Sequence, residues 1–267
     1  MVFIFEKVLH GNQLMKVVIV GSFYTKYLHD ICVGLNDKNI KVDEVLLGTR
    51  VQRLIFKLDS LKRVVKKNGL LDIFRRYLLK RKHKYSYSFP SLVNLQCVLG
   101  FELRYFNDVN SGEVLAWLSE GKDDQVVILA GSGMVDKSFL ECVGGHCVNG
   151  HPAFLPGYRG IDVVDWALLD GKQIGVSSHY VTPLVDAGSI IVRRHIPIIK
   201  NETYADFRRR VNESQADVVV EAVEKILSVE IDCLYHNDLN SSKLCFAASA
   251  KIQQKAIKKF ETMQETL

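Results

Sequence analysis

No apolar run in this 267-residue chain approaches the roughly 20 residues that a membrane-spanning helix needs. A signal peptide is not expected either. Met1–Leu14 contains Phe3, Ile4 and Phe5, but it carries Glu6 and has no small-residue cleavage site. Cysteine is sparse: Cys32, Cys97, Cys142, Cys147, Cys233 and Cys245 show no disulfide-framework spacing, which points to a reducing compartment, the cytoplasm. Cys142 and Cys147 bracket His146, but this spacing fits no common zinc pattern and lacks a second ligand pair, so no metal is expected. There is no internal repeat and no low-complexity tract. Hydrophobic residues make up 48% of the chain, enough for a full core, which excludes wholesale disorder.

Charge is present but uneven. The chain carries a net +5. Between Arg50 and Lys84, thirteen Lys/Arg face two acids, Asp59 and Asp72, a local +11 that leaves −6 for the rest. A mildly acidic body with one basic segment is not the pattern of a general nucleic-acid binder, and no nucleic-acid partner is expected.

The order of elements suggests a doubly wound α/β sheet. Lys16–Gly21 (KVVIVG) reads as a buried strand, and Tyr24, Tyr27, Leu28, Ile31 and Leu35 mark a helix after it. Val42–Leu47 is a second strand, giving a β-α-β start. In the basic segment, Val51, Leu54, Ile55, Leu58, Leu61, Val64 and Val65 share one helical face. Asn68-Gly69 breaks that helix, a second follows over Leu70–Leu78, and Tyr85–Pro90 reads as a loop. Further helices are expected over Ser111–Glu120, Asp136–Cys142, Gly160–Leu169, Thr203–Leu227 and Ser249–Met263. Strands are expected over Gln125–Ala130, His146–Asn149, Gly175–Val181 and Ile190–Ile198.

Chemistry concentrates after the strand at 146–149. Asn149 and His151 lie two apart at a strand end, so their side chains point the same way. Asp186, on a later loop, supplies a carboxylate. An amide donor, an imidazole and an acid around one pocket suit acyl transfer through an oxyanion. Singly, each has a structural reading: a turn former, a loop histidine, a hairpin-turn acid. His179 and His195 read as structural or exposed.

The stretch NGHPAFLPGYRGIDVVDWALLDGKQIGVSSHYVTPLVDAGSIIVRRHIPI resembles the catalytic half of the 10-formyltetrahydrofolate-dependent formyltransferases. The signature is N-x-H, then LP-x-Y-R-G, then an Asp in a D-x-G turn. The resemblance spans roughly Lys16 to Leu227 apart from the basic insertion. It implies a Rossmann-like, mostly parallel sheet of the formyltransferase fold, here with a basic helical insertion (50–90) and a short helical C-terminal extension. The implied boundaries are a flexible extension over 1–14, a catalytic domain over 15–228 and the extension over 229–267. The resemblance also implies catalytic roles for Asn149, His151 and Asp186. Gly133, Met134 and Val135, with Val181 and Val185, would wall a pocket for 10-formyltetrahydrofolate. Tyr158 and Arg159 would order the wall near the acceptor. A homodimer is implied only by the family.

Within that family, the place of a Gly-rich phosphate loop holds Gly21-Ser22-Phe23-Tyr24-Thr25-Lys26, where bulky aromatics keep backbone amides from cradling a phosphate. This argues against glycinamide ribonucleotide as acceptor. The polar last forty or so residues show no multi-strand pattern, which disfavours methionyl-tRNA. A regulatory domain typical of formyltetrahydrofolate hydrolases is not seen. The expected acceptor is a nucleotide-linked amino sugar for surface glycans, with hydroxyornithine a smaller alternative. The basic segment has three readings: a solvated helical lid packed on the sheet, a lid facing a diphosphate, or a docking element for a membrane surface or partner through residues 50–84. The last is also the non-enzymatic alternative, a docking module on this scaffold.

Overall fold

The computed structural model describes residues 9–10, 13–83, 88–228 and 235–266. Most of the expected N-terminal extension, much of the Tyr85–Pro90 loop and Cys233 lie outside them. β1 (Leu9–His10) and β2 (Gln13–Leu14) form a short antiparallel pair. β3 (Lys16–Gly21), α1 (Lys26–Asp37) and β4 (Glu44–Gly48) make the expected β-α-β start. Thr25 caps α1, its Oγ1 accepting from the Leu28 amide. The basic segment forms α2 (Arg50–Asn68) and α3 (Leu70–Lys82), separated at Gly69. α4 (Leu92–Leu99) and β5 (Glu102–Phe106) then return the chain to the sheet. Neither was expected. β5 is a half-exposed edge strand and lacks the apolar run that betrays a central one.

α5 (Gly112–Ser119), β6 (Gln125–Leu129), α6 (Lys137–Val143) and β7 (Cys147–His151) follow. β8 (Tyr158–Gly160) precedes α7 (Val163–Leu169), so the helix expected from Gly160 begins three residues later, after a strand. β9 (Gly175–Tyr180), β10 (Ile190–His195), α8 (Tyr204–Leu227), β11 (Lys243–Cys245) and α9 (Ala250–Glu265) complete the chain. Thr203 and Asp206 cap α8: Thr203 Oγ1 accepts from the Asp206 amide at 3.1 Å and donates to Asp206 Oδ2 at 2.7 Å.

The main sheet has seven strands in the order β10-β9-β7-β6-β3-β4-β5. From β7 to β5 all neighbours are parallel, while β9 and β10 pair antiparallel at the other side. The fold is therefore a mostly parallel, Rossmann-like α/β sheet. The apolar runs have a direct cause. Val17, Ile19, Val126 and Ile128 enter the core beneath α1 and α8, while Val18, Val20, Val127 and Leu129 enter the core beneath α5 and α6. Strands covered on both faces cannot alternate apolar with polar.

The expected basic helical insertion and helical C-terminal extension are both present, and they relate to the body differently. The apolar stripe of α2 is not packed on the sheet: Val51, Leu54, Leu58 and Leu61 are exposed. Residues 235–266, in contrast, are built into the body. β11 pairs parallel with β8, and α9 packs on α7 and α3. The Ala250 amide, in the first turn of α9, donates to Asp72 Oδ1 of α3 at 2.8 Å. Arg76 of α3 and the Ala248 amide both bond Asp162 Oδ2, at 3.2 and 2.9 Å. The C-terminal segment thus ties the insertion to the core.

Candidate active site

β7 runs between β6 and β9 and ends where Leu129 of β6 lies beside Asn149. The carboxyl ends of β6 and β7 therefore open together, the usual ligand position in such sheets. Asn149 and His151 leave the same face of β7. Gly150 between them faces α1 and α8, where the Tyr27 hydroxyl and Val219 leave no room for a Cβ.

His151 is buried, and its two ring nitrogens have different partners. Nε2–H donates to the Tyr158 carbonyl at 2.9 Å. Nδ1 faces Asp186 Oδ2 at 3.4 Å. Burial lowers the His151 pKa, and nearby His179 lowers it too; Asp186 and the Tyr158 carbonyl oppose this without overcoming it. At neutral pH the ring is therefore neutral, with a lone pair at Nδ1.

Asp186 occupies the left-handed region at φ 46°, which short polar residues tolerate. Burial pushes its carboxyl up. That push is outweighed by the His179 and His151 rings beside the carboxylate and by the Gly160 amide, which together set it at about 2. The Gly160 amide donates to Oδ2 at 2.8 Å. Gly160 is held at φ 97°, and a Cβ there would overlap the Cys245 carbonyl oxygen. From the C-terminal segment, Asn237 Nδ2 donates to the carbonyls of Asp186 and Gly188, at 2.9 Å each. The backbone around Asp186 is thus fixed by residues distant in sequence.

Asn149, His151 and Asp186 line one cleft of about 590 Å³. Gly133, Met134 and Val135 line it on the loop after β6, and Val181 and Val185 line it on the loop after β9. Phe23, Leu129, Gly160, Ile161, His179 and Leu184 complete much of the wall. Tyr158 and Arg159, expected near the acceptor, are not among the lining residues. The Tyr158 hydroxyl turns to Asp170 Oδ2 at 2.9 Å, and its contribution to the site is its carbonyl. Arg159 binds Ser242 Oγ at 2.7 Å and the Val185 carbonyl at 3.1 Å, so it braces the loop beside Asp186.

His179 is the residue that sequence reasoning undervalued. It is buried opposite Asn149 in the β7–β9 pairing. Nδ1 lies 2.8 Å from the Tyr180 carbonyl and Nε2 lies 3.5 Å from Asp186 Oδ1. The ring therefore packs beside the Asp186 carboxylate, close to Oδ1 where His151 is close to Oδ2, without a hydrogen bond to it. Spacing alone gives no sign of this, because it depends on antiparallel register. Asn237 carried no sequence signal at all.

A second hollow of about 250 Å³ shares Phe23 and Gly131 with the cleft and is lined by Lys26, Arg209 and Asn212 among others. Among the described residues no group of three or more His, Cys, Asp or Glu could hold a metal ion. No helix among them is long and apolar enough to cross a membrane.

Residues 101–223 match the family model described as Formyl transferase. The methionyl-tRNA formyltransferase of Moorella thermoacetica is 28% identical over 138 residues, covering 51% of this chain and 44% of that protein. The chain thus spans about half the length of the curated relatives it matches. Among solved structures, the phosphoribosylglycinamide formyltransferase of Streptococcus pneumoniae TIGR4 superposes with a TM-score of 0.54 at 20% identity, over 80% of this chain and 99% of that one. WlaRD, a sugar 3N-formyl transferase solved with dTDP and 5-N-formyl-THF, superposes with a TM-score of 0.57 at 12% identity, over 92% of this chain and 79% of that one. At such identities these two likenesses speak for the fold.

Proposed function

We propose that this chain, a member of the formyltransferase family through the domain at residues 101–223, transfers a formyl group from N10-formyltetrahydrofolate to a primary amine. The observation that carries the reading is the convergence of Asn149, His151 and Asp186 in one apolar-walled cleft. The residues present fit a formyl-folate: Leu129, Val135, Val181 and Leu184 offer apolar surface to a flat bicyclic ring, and the Gly131–Val135 loop offers backbone groups to its polar edge. The folate supplies the formyl group and a nitrogen leaving group.

The chain's own residues manage charge and protons. As the amine nitrogen bonds to the formyl carbon, the carbonyl electron pair moves to oxygen, and the Asn149 amide donates to that oxyanion. Neutral His151 takes the proton that the amine gives up, at Nδ1, the nitrogen its Tyr158 bond leaves free. Asp186, anionic throughout because its pKa is about 2, stabilises the resulting imidazolium. The same proton goes to the departing nitrogen as its bond to carbon breaks, and His151 ends neutral. The amine must be unprotonated to attack, so activity falls below its pKa.

We take the acceptor to be a nucleotide-linked amino sugar of the kind used in surface polysaccharides. Phe23 and Tyr24 occupy the place of a glycine-rich phosphate loop. The hollow that shares Phe23 and Gly131 with the cleft carries Lys26 and Arg209, paired with Asp30 and Asp206, and so offers cations beside the cleft for an acceptor's phosphates. The fold neighbour solved with dTDP covers 92% of this chain. The sequence likeness to methionyl-tRNA formyltransferases favours a second reading, tRNA as acceptor. The free thiols Cys32, Cys97, Cys142, Cys147 and Cys245 accord with a cytoplasmic enzyme. The test is formylation from 10-formyltetrahydrofolate with a panel of amino-sugar nucleotides, glycinamide ribonucleotide, hydroxyornithine and methionyl-tRNA. Turnover with an amino-sugar nucleotide is expected. Turnover confined to any of the others overturns the acceptor, and no transfer to any acceptor overturns the reaction.

A further inference from the structure

We infer that the α2–α3 hairpin docks the protein on the surface of an anionic lipid bilayer. The hairpin combines two properties that rarely coincide on a solvated surface. The first is uncovered apolar area. Val51, Leu54, Leu58 and Leu61 recur every three or four residues along α2, and Leu54 is 58% exposed. Leu71, Phe74 and Leu78 repeat the pattern on α3, and Phe74 is also 58% exposed. Leu61 of α2 and Tyr77 of α3 line a shared groove between the helices, so the two stripes meet across the hairpin. Contiguous exposed apolar surface of this kind marks a place that something covers.

The second property is charge. Thirteen Lys/Arg against two acids lie between positions 50 and 84. A second copy docking hairpin to hairpin would set +11 against +11, so self-association through this face is opposed by its own field. An anionic bilayer satisfies both properties at once. Apolar side chains enter the acyl boundary, while Lys and Arg extend along their own stems to the headgroups. The body reaches the hairpin at Phe23, which lines the same groove, and leaves Leu54, Leu58, Phe74 and Leu78 exposed. Asp72 and Arg76, on another face of α3, hold it to the Ala250 amide and to Asp162. The hairpin is therefore anchored on one side and presented on the other.

The experiment is co-sedimentation of the full chain with vesicles of phosphatidylcholine alone and of phosphatidylcholine mixed with phosphatidylglycerol. Binding is expected to the mixed vesicles only and to weaken with added salt. The double variant Leu58→Ser/Phe74→Ser, which keeps every charge, should bind about a hundredfold more weakly. The triple variant Lys66→Gln/Arg75→Gln/Arg81→Gln, which keeps every apolar side chain, should lose about as much. Circular dichroism checks that both variants fold; the altered side chains are exposed or, at most, flank the exposed stripes. Absence of wild-type binding to mixed vesicles overturns the inference. So does binding that the serine variant retains in full, which would be charge attraction without insertion. A dimer in sedimentation velocity that the serine variant disperses would assign the face to a second copy and overturn it as well.

Discussion

Replacing Asp186 with Asn removes the charge that offsets the His151 imidazolium while leaving an oxygen to accept from the Gly160 amide. In the wild type, His151 Nδ1 and Asp186 Oδ2 are 3.4 Å apart. Two unit charges at that separation attract by about 5 kcal/mol at an effective dielectric of about 20. The asparagine dipole and water recover part of this, leaving about 3 kcal/mol on the proton-transfer barrier, or roughly a hundredfold in kcat. The donor KM should change little, because the lost interaction exists only once His151 is charged. A second readout follows from the histidine itself. Asp186 is the main group that raises the His151 pKa against burial, so removing its charge moves the acidic limb of kcat/KM to lower pH. Stability supplies a third. The Asp186 carboxyl falls from 3.8 to about 2 on folding, which contributes about 2 kcal/mol. A depressed carboxyl pKa stabilises fully above the unfolded value, and the contribution is lost as pH falls through the folded value, here between about 4 and 2. The assays are steady-state formylation across pH and urea unfolding at neutral and acid pH. An Asp186→Asn enzyme that folds and keeps more than a tenth of the wild-type kcat refutes the charge-pair reasoning.

Asn149→Ala should lower kcat by about 10²–10³ with little change in donor KM, as expected for loss of one oxyanion donor; steady-state kinetics would show a retained kcat if another group does this work. Gly160→Ala should lower the unfolding free energy by about 2–4 kcal/mol in urea titration, because its Cβ meets the Cys245 carbonyl at a backbone angle unsuited to alanine. An unchanged midpoint would mean the β8–β11 approach is looser than the structure shows. Arg159→Lys cannot hold both Ser242 Oγ and the Val185 carbonyl, and should cost about 1 kcal/mol of stability with acceptor KM within about twofold. A large rise in acceptor KM at unchanged stability would instead place Arg159 in the acceptor site.

The legible parts of the fold share one property: their signals are local. Gln125–Leu129 reads as a strand because five consecutive buried positions leave no polar alternation. Ser111, Thr203 and Ser249 announce helix starts because each hydroxyl accepts an amide three residues on. The edge strand β5 and the three-residue β8 and β11 carry no such signal, since a half-exposed or very short strand has little apolar periodicity to show. At the site, the two-residue spacing of Asn149 and His151 already sets them on one face. The setting of Asp186 among His179, Gly160 and Asn237 was hidden, because it requires strand register and a segment returning from fifty residues away.

The amphipathic helices mark the same boundary. The sequence by itself determined that α2 and α8 each gather apolar side chains on one face, because helical pitch alone decides which residues share a face. It also determined the +11 of the inserted segment. Only the tertiary structure decided that Phe207, Val211 and Val219 of α8 are covered while Leu54 and Leu58 of α2 are not. Burial of a face requires another element to pass against it, and the sheet topology brings β9, β10 and α1 to α8, whereas α3 meets the α2 stripe at Leu61 and leaves Leu54 and Leu58 uncovered.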